Sequence, residues 1–203
     1  MVSYEHIKNI KKFLAPILFI SSLNSFNEST LADDIDTYSG WNGSTSISPW
    51  GYTNTLTYGQ VFEAPSNRNS VTSFTFYLQR RNANADLKYK AYIAPFDRTT
   101  LKIKSDPVWS SEQKTISFSE FGDYTALTTT VTGATITPGE TYIVYLSAHG
   151  QGNTEAQTYS WGTINEKDTE VYNVYWINND DPTSTDTSWT RFNRTNTLYD
   201  MAY

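Results

Sequence analysis

Between Val71 and Leu78 polar and apolar residues alternate, with Phe74, Phe76 and Leu78 on one side of an extended strand and Ser73, Thr75 and Tyr77 on the other. The period of two returns in Leu87–Ile93, where Leu87, Tyr89, Ala91 and Ile93 oppose Lys88, Lys90 and Tyr92. In Thr141–Ser147, Tyr142, Val144 and Leu146 lie opposite Ile143 and Tyr145. Further strands are expected over Leu56–Glu63, Lys114–Phe118, Thr128–Ile136, Tyr159–Ile164, Glu170–Ile177 and Leu198–Tyr203. Turn-forming clusters separate them: Ala64-Pro65-Ser66-Asn67, Asn82-Ala83-Asn84, Thr137-Pro138-Gly139-Glu140, Gly150-Gln151-Gly152-Asn153 and Asn178-Asn179-Asp180-Asp181-Pro182. About eight to ten short strands without intervening helical patterns predict an all-β fold. Long irregular connections favour a jelly-roll-like antiparallel β-sandwich. Phe74 and Phe76 are expected in its core, on the same sheet half as Ala91 or Ile93.

Composition agrees with that pattern and adds a compartment. Tyr (15), Phe (10) and Trp (6) suit pleated, half-buried surfaces. The N-terminus is different: Lys8, Lys11 and Lys12 precede an apolar run from Phe13 to Leu23, and Thr30-Leu31-Ala32 follows as a small-x-small site. That order is the signature of a secretory signal peptide over residues 1–32, with a mature chain from near Asp33. The run is about half the ~20 residues that a membrane-spanning helix needs. Residues 33–203 then form a single domain, secreted or extracellular, with the periplasm as the alternative compartment. Cleavage removes three Lys and two Glu and takes the net charge from −6 to −7. A chain of that sign repels nucleic acid and anionic lipid. With no Cys, disulfides, thiol nucleophiles and thiolate metal sites are all excluded, and the core must hold the fold together unaided.

Several of these segments together resemble exported bacterial β-sandwich domains found ahead of a PEP-CTERM-type sorting tail. The resemblance rests on Tyr58-Gly59-Gln60-Val61-Phe62, Val71-Thr72-Ser73-Phe74-Thr75-Phe76-Tyr77-Leu78 and Lys90-Ala91-Tyr92-Ile93. It continues through Ile136-Thr137-Pro138-Gly139-Glu140-Thr141-Tyr142 to Tyr199-Asp200-Met201-Ala202-Tyr203. It implies a β-sandwich fold and export and brings no catalytic residues. The chain departs from the group in stopping at its last strand, without a Pro-Glu-Pro motif, apolar helix or basic end. Free secretion is therefore expected rather than membrane sorting.

Candidate chemistry is sparse. His149 is the one histidine beyond the signal segment, so a Ser-His-Asp triad would have to use it, and His149-Gly150-Gln151-Gly152 reads instead as a strand running into a loop. Glu112, Glu120, Asp123, Glu140, Glu155 and Asp168 are the carboxylates from which a glycosidase pair could be drawn, yet most sit beside expected turns, where solvated acids fall. No catalytic or metal-ligating set is assigned, and no cofactor motif is present. Asn178-Asn179-Asp180-Asp181 and Asp33-Asp34-Ile35-Asp36 concentrate the oxygens that calcium takes, without matching an EF-hand loop. Arg80, Arg81, Lys88 and Lys90 make a small basic spot that reads as a solvated strand face.

The aromatic residues carry the strongest candidate. Trp41, Trp50 and Tyr52 fall in a Gly/Ser/Asn/Thr-rich stretch, and Trp176 and Trp189 flank the amide-rich turn that holds Asn178 and Asp180. Flat aromatic faces beside short amides suit sugar rings, whose C–H faces stack while their hydroxyls take hydrogen bonds. For any single Trp, core packing is the simpler reading. The expectation is a secreted non-catalytic binding or extracellular-matrix module with a neutral glycan as ligand. The alternatives are an adhesive protein recognising a cell-surface protein, for instance through a sheet edge, and a glycan hydrolase with a carboxylate pair. No nucleic-acid partner and no membrane span in the mature chain are expected. N-terminal sequencing of exported protein should begin near Asp33; recovery of a chain beginning at Met1 would overturn the signal assignment.

Overall fold

Period-two alternation resolves into fourteen strands in the computed structural model, which describes residues 40–52, 55–166, 173–194 and 197–201. In chain order these are β1 (Ser46–Trp50), β2 (Thr57–Glu63), β3 (Ser70–Ala83), β4 (Leu87–Asp97), β5 (Lys102–Ile103), β6 (Trp109–Ser110) and β7 (Lys114–Ile116). They continue with β8 (Thr125–Thr135), β9 (Thr141–Ser147), β10 (Gln157–Glu166), β11 (Asn173–Ile177), β12 (Thr190–Arg191), β13 (Asn193–Arg194) and β14 (Thr197–Met201). The chain divides between Ala32 and Asp33, and every described residue belongs to the second unit. The expected signal peptide, residues 1–32, lies outside the described residues. So do positions 170–172 and 202–203 of the expected strands.

All ladders are antiparallel and fall into two sheets. Sheet I has six strands in the order β13-β14-β10-β3-β8, with β1 also pairing β10; sheet II has eight, in the order β12-β11-β2-β9-β4-β5, with β6 and β7 also on β4. Consecutive long strands never pair with each other. The chain crosses from one sheet to the other between each of these long strands and the next, a wiring of jelly-roll type. Among the described residues no helix is long and apolar enough to cross a membrane.

The sandwich core lies between the inner faces. Phe74, Phe76 and Leu78 of β3 and Tyr159 and Trp161 of β10 meet Tyr58 and Phe62 of β2, Leu87, Tyr89, Ala91 and Ile93 of β4, and Val144 and Leu146 of β9. Phe74 and Phe76 thus share a core with Ala91 and Ile93, as expected, but they reach it from the opposite sheet. Trp161 sits at the centre, with ring centroids 4.6 Å from Phe76, 5.2 Å from Trp50 and 5.7 Å from Tyr58.

Sheet II is buried on both faces, which is unusual for an antiparallel sheet. The alternate residues of its strands, among them Val61, Tyr92, Ala94, Phe96, Ile143, Tyr145, Tyr175 and Ile177, build a second core with Trp189. The segment between β11 and β12 covers it. The Tyr145 hydroxyl donates to the Pro182 carbonyl at 3.1 Å, and the Trp189 ring packs against Tyr145 at 5.0 Å and Phe96 at 6.2 Å. The Trp189 amide donates to the Leu101 carbonyl at 2.8 Å. Leu101 holds a φ of 56°, a conformation that L side chains other than Asn and Asp rarely adopt. Gly59 faces this second core because no side chain fits there: an added Cβ would stand 2.7 Å from Tyr145 Cβ and 2.9 Å from Ile143.

Replacing Phe76, which has no exposed surface, with Ala should destabilise the fold by roughly 3–5 kcal/mol. Denaturant unfolding checks this, and an unchanged midpoint would contradict the core assignment. Burial also pushes the Tyr58, Tyr89 and Tyr159 hydroxyls up from 10.0 to about 12. A phenol that ionises at 10.0 when unfolded and near 12 when folded contributes stability fully below pH 10.0 and loses it as pH rises through 12. Tyrosinate absorbance and far-ultraviolet circular dichroism should therefore change together in that window.

Candidate functional site

The seven residues that the sequence nominates for ligand binding are not brought together. Trp50 and Trp189 are core residues, at 0% and 2% exposure, and neither ring is available to a ligand. Trp50 explains its place through chemistry as well as packing, since its Nε1 donates to the Leu56 carbonyl at 3.0 Å inside the core. Trp189 is held by the second core, where a large ring is needed to close the outer face of sheet II. Tyr52 and Trp176 are half-buried and pack against the main core. Asn178 and Asp180 are exposed in the turn after β11. The Asn178 carbonyl accepts the Leu56 amide at 2.9 Å, and its Oδ1 accepts the Thr55 hydroxyl at 3.4 Å, so this residue serves the turn.

Trp41 is different. Asn42 organises its loop, with Oδ1 accepting the Ser44 amide at 2.9 Å and the Thr45 amide at 2.8 Å while Nδ2 donates to the Thr45 hydroxyl at 2.8 Å. The Thr45 carbonyl then accepts both Trp41 Nε1 at 2.8 Å and the Thr163 amide of β10 at 2.9 Å. These bonds fasten the indole to sheet I. It lies on Gly162, where an added Cβ would meet three indole atoms, Cζ2, Cε2 and Cη2, at 2.8–3.0 Å. Near-equal distances to three ring atoms mean that the ring presents its face to the glycine. Any larger residue at 162 would lift the indole off the sheet.

Two tyrosines complete the aromatic group. Tyr77 of β3 has its ring 5.8 Å from Trp41, and Tyr124, just before β8, meets Trp41 edge-on at 4.8 Å. All three rings are half-buried on the outer face of sheet I. Beside them opens a depression of about 830 Å³ lined by Trp41, Gly43, Ser44, Ser46, Gln79, Tyr124 and Ser160 and by the charged Arg80, Arg81 and Asp123. The alternation in β3 already set Tyr77 apart from the core face. No local signal links Tyr124 or Gln79 to Trp41; only the crossing of the chain between sheets brings them together.

The wall beneath Tyr124 is strained. Phe121 is buried with a φ of 63°, and its carbonyl accepts the Arg80 amide at 2.6 Å. The Arg80 guanidinium donates to the Phe118 carbonyl. Gln79 Nε2 donates to the Gly122 carbonyl at 3.4 Å. The loop before β8 is thereby pinned to the end of β3, and Tyr124 is held beside Trp41.

Other candidate chemistry stays dispersed. Glu112, Glu120, Asp123, Glu140 and Glu155 are exposed, and Glu140 pairs with Lys104 at 2.7 Å. Asp168 and Asp33-Asp34-Ile35-Asp36 lie outside the described residues. His149 is half-buried; its amide donates to Ser147 Oγ at 3.1 Å, while Ser147 itself is buried and bonds Thr57. Asp181 accepts the Thr183 hydroxyl at 2.7 Å and amide at 2.9 Å, and these bonds hold its carboxyl below the usual range. Among the described residues no three His, Cys, Asp or Glu side chains cluster as a metal site would need. Comparison with known proteins finds no matching family model, no matching curated protein and no matching solved structure.

Proposed function

We propose that the protein is an exported, non-catalytic carbohydrate-binding module and that the outer face of sheet I is its binding surface. The observation that carries this reading is the indole of Trp41, laid on Gly162 and flanked by Tyr77 and Tyr124 at the wall of an open polar depression. A pyranose ring needs an apolar face to stack on and donors and acceptors around its rim. Aromatic rings supply the first. Ser44, Ser46, Gln79 and Ser160 supply the second as uncharged groups, beside Arg80, Arg81 and Asp123. The ligand class is a neutral or weakly charged glycan, because the chain carries a net charge of −6 and its field opposes polyanions.

A glycan array read with the purified chain should identify a neutral oligosaccharide. Trp41→Ala and Tyr124→Ala should each weaken that binding about three- to tenfold, in line with the energy of a lost aromatic contact. Raising salt to physiological strength should leave affinity nearly unchanged, since screening acts on charges and hardly on stacking. Retention of full affinity by Trp41→Ala, or the absence of binding to any glycan, would remove the proposal.

A further inference from the structure

Side chains that line the depression on the outer face of sheet I divide into those already engaged and those left open. Every nitrogen-bearing side chain there makes a contact within the chain. Trp41 Nε1 donates to the Thr45 carbonyl, Gln79 Nε2 to the Gly122 carbonyl and the Arg80 guanidinium to the Phe118 carbonyl, and Arg81 is engaged as well. The acceptors are open. Among the described residues no hydrogen-bond donor or cation pairs with the Asp123 carboxylate, and Gln79 Oε1 has no donor either. Asp123 is exposed, yet its backbone is fixed on both sides. The Phe121 carbonyl accepts the Arg80 amide at 2.6 Å, the Gly122 carbonyl accepts Gln79, and the Asp123 carbonyl accepts the Thr125 hydroxyl at 3.0 Å. Tyr124 follows directly, with its ring 4.8 Å from Trp41.

We infer that Asp123 determines specificity at this surface, its two carboxylate oxygens accepting from two hydroxyls on adjacent carbons of a sugar ring stacked on the aromatic group. The inference rests on the glycan-binding reading above. A carboxylate offers two acceptor oxygens on one carbon and no donor, so the partner that fits it is a pair of neighbouring donors, as a guanidinium is. With the nitrogen donors of the depression engaged, the ligand has to bring donors of its own. A carboxylated or sulfated sugar would set an anion against an unpaired anion. A ring whose neighbouring hydroxyls are linked or substituted brings one donor where two are needed. Hydrogen bonds to an ionised acceptor are the stronger kind, so this one residue can decide which rings are held. The ligand class narrows to neutral glycans with a free vicinal pair of hydroxyls. A 1,4-linked hexopyranose chain has that pair at C2 and C3 of every unit. A 1,3-linked chain has it in no internal unit, because the linkage takes the oxygen between its free hydroxyls.

Affinity electrophoresis of the full chain through 1,4-linked and 1,3-linked polymers of glucose, galactose and mannose tests this, with chains long enough that their ends are negligible. The 1,4-linked polymer of at least one sugar should retard the protein about tenfold more strongly than its 1,3-linked counterpart, the range of a hydrogen bond to a charged group. Asp123→Ala, and Asp123→Asn, which keeps the size and leaves one acceptor oxygen, should each remove that preference with an unchanged melting temperature. A parent chain that holds both linkages equally, that none of the 1,4-linked polymers retards, or whose preference survives Asp123→Ala would overturn the inference. If Trp41→Ala still abolishes binding in those cases, the aromatic surface stands and only the role of Asp123 falls; absence of binding to every glycan removes both.

Discussion

The contact of Trp161 with Trp50, Tyr58 and Phe76 is what makes two curved sheets into one body. Each ring comes from a different strand, three in sheet I and one in sheet II, and the T-shaped approach of Trp50 at 83° fits the charge distribution of two indoles. Without disulfides no cross-link ties the sheets, so burial of large flat side chains has to supply the cohesion. Trp50, Trp161, Tyr159 and Phe76 are all fully buried, which concentrates that cohesion at one level of the sandwich.

Burying sheet II on both faces divides the labour of the molecule. The segment from Asn178 to Trp189 folds over the outer face of sheet II and is anchored at Pro182 and at Trp189. That leaves the outer face of sheet I as the broad surface on which polar side chains and half-buried rings stand side by side. The strained backbones of Leu101 and Phe121 serve the two halves alike. Each turns its carbonyl to accept an amide from a distant strand or loop, Trp189 in one case and Arg80 in the other. Strain at these points is the consequence of docking connections tightly onto sheets whose long strands are never sequential neighbours.

Much of this was legible in the residues themselves. Strand β9 begins and ends where its alternation does, because the Pro138-Gly139 turn and the exit at Ala148 bound it clearly. β3 and β4 run longer than their alternation, since Gln79, Arg80 and Arg81 keep extended backbone beside β10 despite their polarity. β1 was invisible: Ser46-Ile47-Ser48-Pro49-Trp50 reads as loop, and only its ladder with β10 makes it a strand. The second core could not be anticipated either. Ile143 and Tyr145 signal that both faces of β9 are apolar, but what covers them lies 37 positions further on, in a turn whose amides and acids suggest solvent. The same reason explains the aromatic residues. Trp189 stands in polar sequence and is buried, whereas Trp41 stands in similar sequence and meets Tyr77 and Tyr124 through contacts that only the fold supplies.

The packing of the indoles also decides how this protein interacts with light. Of its six tryptophans, Trp50, Trp161 and Trp189 lie in surroundings from which water is absent, and Trp50 and Trp161 stand 5.2 Å apart, close enough for their electronic transitions to couple. Their absorption bands mix, so the near-ultraviolet dichroism of the folded chain is dominated by the interior and reads out the seating of one sheet upon the other. Emission follows the same division, with a buried half that no solute in the surrounding liquid can reach. Trp41 is a single emitter against that background. A molecule settling on the outer face of sheet I would dim only a small share of the total signal, and a bulk fluorescence trace would pass over an event that a site-specific label reports in full.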